Sequence, residues 1–291
     1  MSALTLLAPE PLAGKTAVAC GLARRIASEG KRVSLQRIPG GDHAENDAVL
    51  FSGLKGVTQD STMAEITLIE APAGDRARSL ADFPDGRAVV ITDASTPMGA
   101  LADYCREAGD RLAGAVINKT PARRADSLLA DAKAAGINVL RALPEDRLLA
   151  APVIRDVVQA LSAQTEHLDG GGMRPLDRPV IATISADPGQ GYFARYDASA
   201  VIVRSDKPDL QLAALNAGAG CLIVTGGLPI LSYVLERAEE DQIPLLRTGL
   251  DTITAVHRIE AIFGSSPFSG DAKIERISTL LSDLNLAALF D

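Results

Sequence analysis

At 291 residues, with 47% apolar and 23% charged side chains, the chain has room for two folded domains and is too apolar to stay disordered. Its net charge of −8 excludes nucleic acid as a main partner, while leaving room for a small anion held by a single loop. Three scattered cysteines, three histidines without metal-ligand spacing and no run of membrane-span length exclude a disulfide scaffold, a zinc site and a membrane span, so a cytoplasmic protein with reduced thiols is expected.

Aromatics make up only 3% of the chain and Trp is absent, so the cores must be built from Ala, Val, Ile and Leu, which suits parallel sheets covered by helices. In the first part, strand-like runs are predicted at 3–8, 32–37, 65–70, 87–93, 112–118 and 137–142. Helical patterns fill most of the gaps, the strongest being Lys15–Ser28, Met98–Ala108 and Ala122–Ala135. Alternating units of this length predict an α/β fold with a parallel, doubly wound sheet whose ligands gather at one edge.

The first strand runs through Pro9-Glu10-Pro11-Leu12-Ala13 into Gly14-Lys15-Thr16, where the first helix begins. A helix start carries unpaired N–H groups and the positive end of a dipole, so it attracts phosphate. Ala13, Gly14, Lys15, Thr16 and Ala17 would form the cradle, with Lys15 reaching the outer phosphates and the Thr16 hydroxyl facing a magnesium ion. Pro9 stands where the usual pattern has its first glycine, and an ordinary helix start is the competing reading.

Later strand ends supply further candidates. Arg37 either meets a substrate anion or phosphate, or points to solvent. Asp47 is either a second magnesium or substrate group or a helix-capping residue. Glu70, ahead of Ala71-Pro72-Ala73-Gly74, either holds magnesium or is a surface Glu at a strand terminus. Asp93, ahead of Ser95-Thr96-Pro97, reads as a helix-start residue rather than a ligand. Asn118, followed by Lys119, either reads a purine edge with its amide or forms a turn.

Beyond a helix at Val153–Leu161, the run 162–169 and the Gly170-Gly171-Gly172 that follows predict a flexible linker. The expected division is 1–163, a linker at 164–177, and a second, smaller α/β domain at 178–291. Its strands are expected at 180–184, 200–203, 221–225 and 244–246, and its helices at Asp209–Ala217, Leu231–Glu240, Thr252–Phe263 and Lys273–Leu281. Asp206, Thr225-Gly226-Gly227 and Asp251 end strands or open helices there. They form either a second small-molecule site or a set of caps, turns and a packing or dimerisation surface. The segment 187–196 holds three of the ten Tyr and Phe residues, as a contact surface or, the preferred reading, a loop covering the sheet edge.

Gly14-Lys15-Thr16, the strand-end Glu70 with Ala71-Pro72-Ala73-Gly74, and Asn118-Lys119 resemble the dethiobiotin synthetase-like (BioD-like) P-loop proteins. Asp206, Lys207, Thr225, Gly226, Gly227 and Asp251-Thr252 resemble the DRTGG domain. The pairing is similar to the N-terminal portion of some bacterial phosphotransacetylases and to their stand-alone relatives, and it covers nearly the whole chain. The resemblance implies a P-loop NTPase-like domain, ATP and Mg2+ as cofactors, a small carboxylate as acceptor, and a regulatory, homodimeric second domain. No phosphotransacetylase catalytic domain is expected, and the loop Pro9-Glu10-Pro11-Leu12 departs from the true dethiobiotin synthetase pattern.

The expected function is Mg-ATP binding with a regulatory role, or weak ATPase or ligase-like, carboxylate-activating turnover. Lys15 and Glu70 would be catalytic, Thr16, Glu70 and Asp47 would hold the metal, and Asp47 or Arg37 would face the acceptor. The alternative is a dimeric structural or assembly module with a decayed nucleotide site.

Overall fold

The computed structural model describes residues 2–41, 43–58, 60–74, 80–81, 86–168, 170–182, 192–193 and 199–290. In chain order the strands are β1 (Ser2–Leu7), β2 (Val33–Arg37), β3 (Val57–Thr58), β4 (Ile66–Glu70), β5 (Arg87–Asp93), β6 (Leu112–Thr120), β7 (Val139–Pro144), β8 (Gln164–His167), β9 (Pro179–Ile181), β10 (Ala200–Arg204), β11 (Leu222–Thr225) and β12 (Leu245–Arg247). Among the described residues, the helices of four residues or more are α1 (Lys15–Ser28), α2 (Ala44–Ser52), α3 (Met98–Ala108), α4 (Ala125–Ala134), α5 (Arg147–Ala150), α6 (Ile154–Leu161), α7 (Pro208–Asn216), α8 (Ser232–Glu240), α9 (Thr252–Ile262) and α10 (Asp271–Leu280).

The chain folds as two compact units, Met1–Leu149 with Lys273–Asp291, and Ala150–Ala272. The first contains a seven-stranded sheet in the order β3-β2-β4-β1-β5-β6-β7, with every pairing parallel. β1 lies between β4 and β5, so successive crossovers leave it in opposite directions. A crevice then opens beyond its C-terminal end, where α/β sheets take ligands. Leu7, Ile69, Val90 and Ile117 pack with Leu101 and Cys105 of α3 and Leu128 and Ala132 of α4 in one core layer. Strand alternation turns Leu4, Leu6 and Leu68, all fully buried, to the opposite face.

α1 takes a second covering from the end of the chain. A methyl added at Gly21 would lie 2.8 Å from Leu281 and 3.1 Å from Ile277, so only glycine lets these surfaces meet so closely. Arg25 donates to the carbonyls of Leu281 and Leu284, and Arg24 pairs with Glu275.

The second unit has a five-stranded sheet, β8-β12-β11-β10-β9, in which only β8 runs antiparallel. One face packs on α7 and α8 through Val201, Val203, Leu222 and Val224. The other packs on α6 and α9 through Ile202, Ile223 and Leu246.

This division differs from the expected one at 163 and 178. α6 is core of the second unit, and α10 with the residues after it belongs to the first. The expected linker is structured: residues 164–167 form the edge strand β8. The three glycines form a tight turn in which Gly171 N–H donates to Leu168 and a methyl on Gly171 would come within 2.8 Å of Pro244. Arg174 ties the turn to the Gly220 carbonyl at 2.7 Å.

Of the aromatic segment at 187–196, only Tyr192 and Phe193 lie within the described residues. Phe193 is buried in the core and meets the Tyr192 ring edge-on at 5.8 Å, so this part of the segment is packing rather than contact surface. Among the described residues, no helix is long and apolar enough to cross a membrane.

Candidate functional site

The loop from β1 into α1 is held by its carbonyls. Ala8 O accepts from Gly74 N–H at 2.9 Å and from the Tyr104 hydroxyl at 3.1 Å, anchoring the loop start from the β4 side and from α3. Leu12 O accepts from Lys119 Nζ at 2.9 Å, and Ala13 O from Asn118 Nδ2 at 3.0 Å. Lys119 also pairs with Asp93 at 3.3 Å. With these carbonyls turned to the sheet, the loop's shape is fixed from below.

Gly14 then turns the chain into α1 with φ of +93°, a conformation that suits glycine. An added methyl there would stand 2.2 Å from Asn118 Nδ2. No side chain caps the helix, so its first N–H groups face the loop mouth with Lys15 and Thr16 in the first turn. Ala13 and Ala17 are buried on either side of them.

Three acidic or basic side chains close on that turn. Arg37 and Glu70 sit opposite each other in register at the ends of β2 and β4. Asp47 arrives from the first turn of α2, an element absent from the sequence expectations. The Thr16 hydroxyl donates to Glu70 Oε1 at 3.0 Å and lies 3.4 Å from Asp47 Oδ2. Arg37 Nη1 donates to Glu70 Oε1 at 3.0 Å and forms an ion pair with Asp47, while its Nη2 reaches the Gly40 carbonyl at 3.2 Å. The Arg37 side chain is only 11% exposed, so of its two expected readings the solvent one does not hold.

Glu70 is 2% exposed, Asp47 3% and Lys15 8%. Burial pushes Glu70 up to about 7, against the opposing pull of Arg37 and reinforced by the charge of Asp47. Asp47 is also raised, by burial first, with Arg37 pulling it back. Burial lowers Lys15 below the ordinary lysine value, although Glu70 opposes this. Asp93 behaves differently: burial raises it, but hydrogen bonds from Ser95 and the charge of Lys119 outweigh that and leave it below the usual carboxylate range.

The donors fit a hard divalent cation, which takes oxygen ligands and completes its shell with water and phosphate. Thr16 Oγ1 and the carboxylates of Asp47 and Glu70 supply them. Glu70 Oε2 is buried without a hydrogen-bond partner among the described residues, a lone pair a cation or water would satisfy. Among the described residues there is no group of three or more His, Cys, Asp or Glu able to hold a metal, so this chain would contribute only part of a coordination shell.

The Asn118 amide donates from Nδ2 to Ala13 O and accepts at Oδ1 from Lys119 N–H at 2.9 Å, so part of its hydrogen-bonding capacity fixes the loop between β1 and α1 from behind. Tyr104, Lys119 and Asp93 are positioning residues the sequence did not assign to the loop. Asn118-Lys119 at a strand end carried a partial signal, and Tyr104, in the middle of an amphipathic helix, carried none.

The candidates of the second unit are each engaged by neighbours within that unit. Asp206 forms a bidentate pair with Arg204, at 2.9 and 2.7 Å. The Thr225 hydroxyl meets Thr252 Oγ1 at 2.8 Å. Gly226 and Gly227 donate their N–H groups to the carbonyls of Leu250 and Thr248, and a methyl on Gly227 would lie 3.3 Å from the Gly249 backbone. Asp251 caps α9, accepting from Thr254 N–H at 3.0 Å. The glycines thus let two strand-end loops, 225–227 and 248–250, approach backbone to backbone.

Comparison with known proteins matches residues 156–262 to the family model of the DRTGG domain. The regulatory region of Clostridium perfringens pyrophosphatase, whose CBS and DRTGG domains were solved with the activator diadenosine tetraphosphate, is 18% identical with a TM-score of 0.37. The similarity covers 47% of this chain and 64% of that one, so this chain spans less than two thirds of that structure. The Aquifex aeolicus cell division protein MinD is 12% identical with a TM-score of 0.39, over 50% of this chain and 83% of that one. The 54 kDa signal recognition particle protein of Aeropyrum pernix, solved with GDP, is 14% identical with a TM-score of 0.40, over 99% and 77%. These likenesses concern overall shape and remain distant. The family match is local and falls on the five-stranded unit: the chain carries a DRTGG domain at residues 156–262, following an α/β unit with a seven-stranded parallel sheet.

Proposed function

We propose that the loop between β1 and α1 binds Mg-ATP, and that this occupancy serves either regulation or a slow ATPase or carboxylate-activating step. The observation that carries the reading is the convergence of buried Lys15, Asp47 and Glu70 with half-buried Thr16 on an uncapped helix start at the C-terminal edge of a parallel sheet. Lys15 would balance charge on the outer phosphates, in a setting where burial strengthens every electrostatic contact. Thr16, Asp47 and Glu70 would hold magnesium, which supplies neutralisation of phosphate charge when bound. The DRTGG domain, by resemblance, would supply regulation and homodimer contacts.

Calorimetric titration of ATP with magnesium into wild type and Lys15→Ala tests the reading. Micromolar binding in the wild type, lost in the variant, is the expected result. An organic acid that raises phosphate release would then separate carboxylate activation from pure regulation. Absence of heat and of thermal stabilisation in the wild type would favour the second reading, a dimeric structural module with a decayed site. That reading draws on the ion pairs Arg37 already makes with both carboxylates, and on Pro9 and Pro11 in the loop.

A further inference from the structure

The acidic and basic groups at the mouth of α1 match in number. With both carboxylates ionised, Asp47 and Glu70 carry two negative charges, and Arg37 and Lys15 carry two positive ones, within one shielded cluster. Arg37 lies between the carboxylates and bonds both, so a divalent cation sharing those ligands would compete with it for their oxygens. A buried charge without a partner is costly, and the mutual pairing here offsets that cost, with Glu70 Oε2 left without a hydrogen-bond partner among the described residues.

We propose that Arg37 is a resident counter-ion of the Asp47–Glu70 pair, displaced by a divalent cation only when nucleotide phosphates arrive to receive the Arg37 and Lys15 charges. The inference rests on the nucleotide-site reading above and adds a specificity to it. A free cation would add two positive charges to a neutral, shielded cluster and meet Arg37 at close range. The same cation arriving with phosphates meets compensating negative charge, and Arg37, at a strand end with its Nη2 on the Gly40 carbonyl, turns from carboxylate to phosphate. Metal and nucleotide thus bind with positive, reciprocal coupling, and Arg37 is the residue that sets it.

The test measures Mn2+ binding by the electron paramagnetic resonance signal of the free ion, on the full chain, first without nucleotide. Wild type is expected to bind Mn2+ weakly. Arg37→Met is expected to gain affinity within the roughly 5–150-fold range of ordinary site coupling, and the double variant Arg37→Met/Glu70→Gln to lose that gain. Arg37→Lys, which keeps the charge, should stay close to wild type. A non-hydrolysable ATP analogue should raise Mn2+ affinity in the wild type and do so much less in Arg37→Met.

If Arg37→Met binds free Mn2+ no better than wild type, the proposal is overturned while nucleotide binding stands. Wild type that binds Mn2+ as tightly without the analogue as with it overturns it too, with no substitution needed. Should the calorimetry find no ATP binding, the nucleotide-free comparison still decides whether Arg37 occupies the cation position. The two failures therefore remain distinguishable.

Discussion

Two residues at the loop mouth carry separable consequences. Gly14 combines a φ of +93° with an Asn118 amide nitrogen 2.2 Å from where a methyl would go. Gly14→Ala therefore strains the dihedral, at roughly 1–2 kcal/mol, and pushes Asn118 off the Ala13 carbonyl it holds. We expect a lower melting temperature and a loss of ATP affinity of at least about tenfold, read by calorimetry beside wild type. Unchanged affinity would mean the Asn118 brace does not shape the cradle. Glu70 gives a pH signature. Its native value of about 7 lies above the ordinary 4.5, chiefly through burial. Between those values the native state keeps a proton that the unfolded chain has released. Its contribution to stability is therefore full below 4.5 and lost as the pH rises through 7. Relative to Glu70→Gln, wild type should lose up to about 3 kcal/mol of unfolding free energy across that window. Parallel urea-unfolding curves for the two proteins from pH 5 to 8 would refute the burial argument.

At the scale of elements, legibility followed the strength of local pattern. Lys15–Ser28 and Met98–Ala108 were read to the residue because an apolar stripe recurs at helical spacing and glycine or a polar turn stops it. Strands β1, β2 and β4 to β7 were found within two residues because buried parallel strands are near-continuous apolar runs. β8 was missed for the opposite reason. Gln164-Thr165-Glu166-His167 has no apolar face and is a strand only because it can pair with β12 and because Arg247 bonds both Glu166 and Gln164. α2 was missed as well: Asp47 read as either a magnesium or substrate group or a helix cap, whereas it lies within the helix Ala44–Ser52. Candidate metal ligands Thr16, Glu70 and Asp47 do converge, since strand ends of a parallel sheet share one edge. Arg37 was itself a candidate, for a substrate anion or phosphate, but its pairing with both carboxylates could not be read, because cross-strand register is a tertiary property. The same limit hid the brace formed by Tyr104 and Lys119, whose partners are backbone carbonyls about a hundred positions away in the chain.

For the whole molecule, the decisive feature is that the first unit is assembled from both ends of the chain while the second is continuous. Ile277, Leu281, Leu284 and Leu289 are each 0–3% exposed, and the first two cover Gly21 of α1. At about 1.5–3 kcal/mol for each buried aliphatic side chain, removing four approaches the whole stability of a typical domain, roughly 5–15 kcal/mol. Arg25 would lose both of its carbonyl partners in the same cut. Residues 150–272, by contrast, keep both core layers of their own sheet. A chain truncated after Ala272 should therefore lose the seven-stranded unit and retain the five-stranded one. Hydrogen exchange reads this directly. Amides of Val89–Ile91 and Ala115–Ile117 should lose protection, while those of Val201–Val203 and Leu222–Val224 should keep it. Collapse of protection in both groups would show that the second unit depends on the first for its stability. Full protection in both would show that the C-terminal segment adds nothing to the core it covers. Because α1 begins at the loop proposed to bind ATP, that binding should be lost in the truncated chain even though Gly14, Lys15 and Thr16 are all still present.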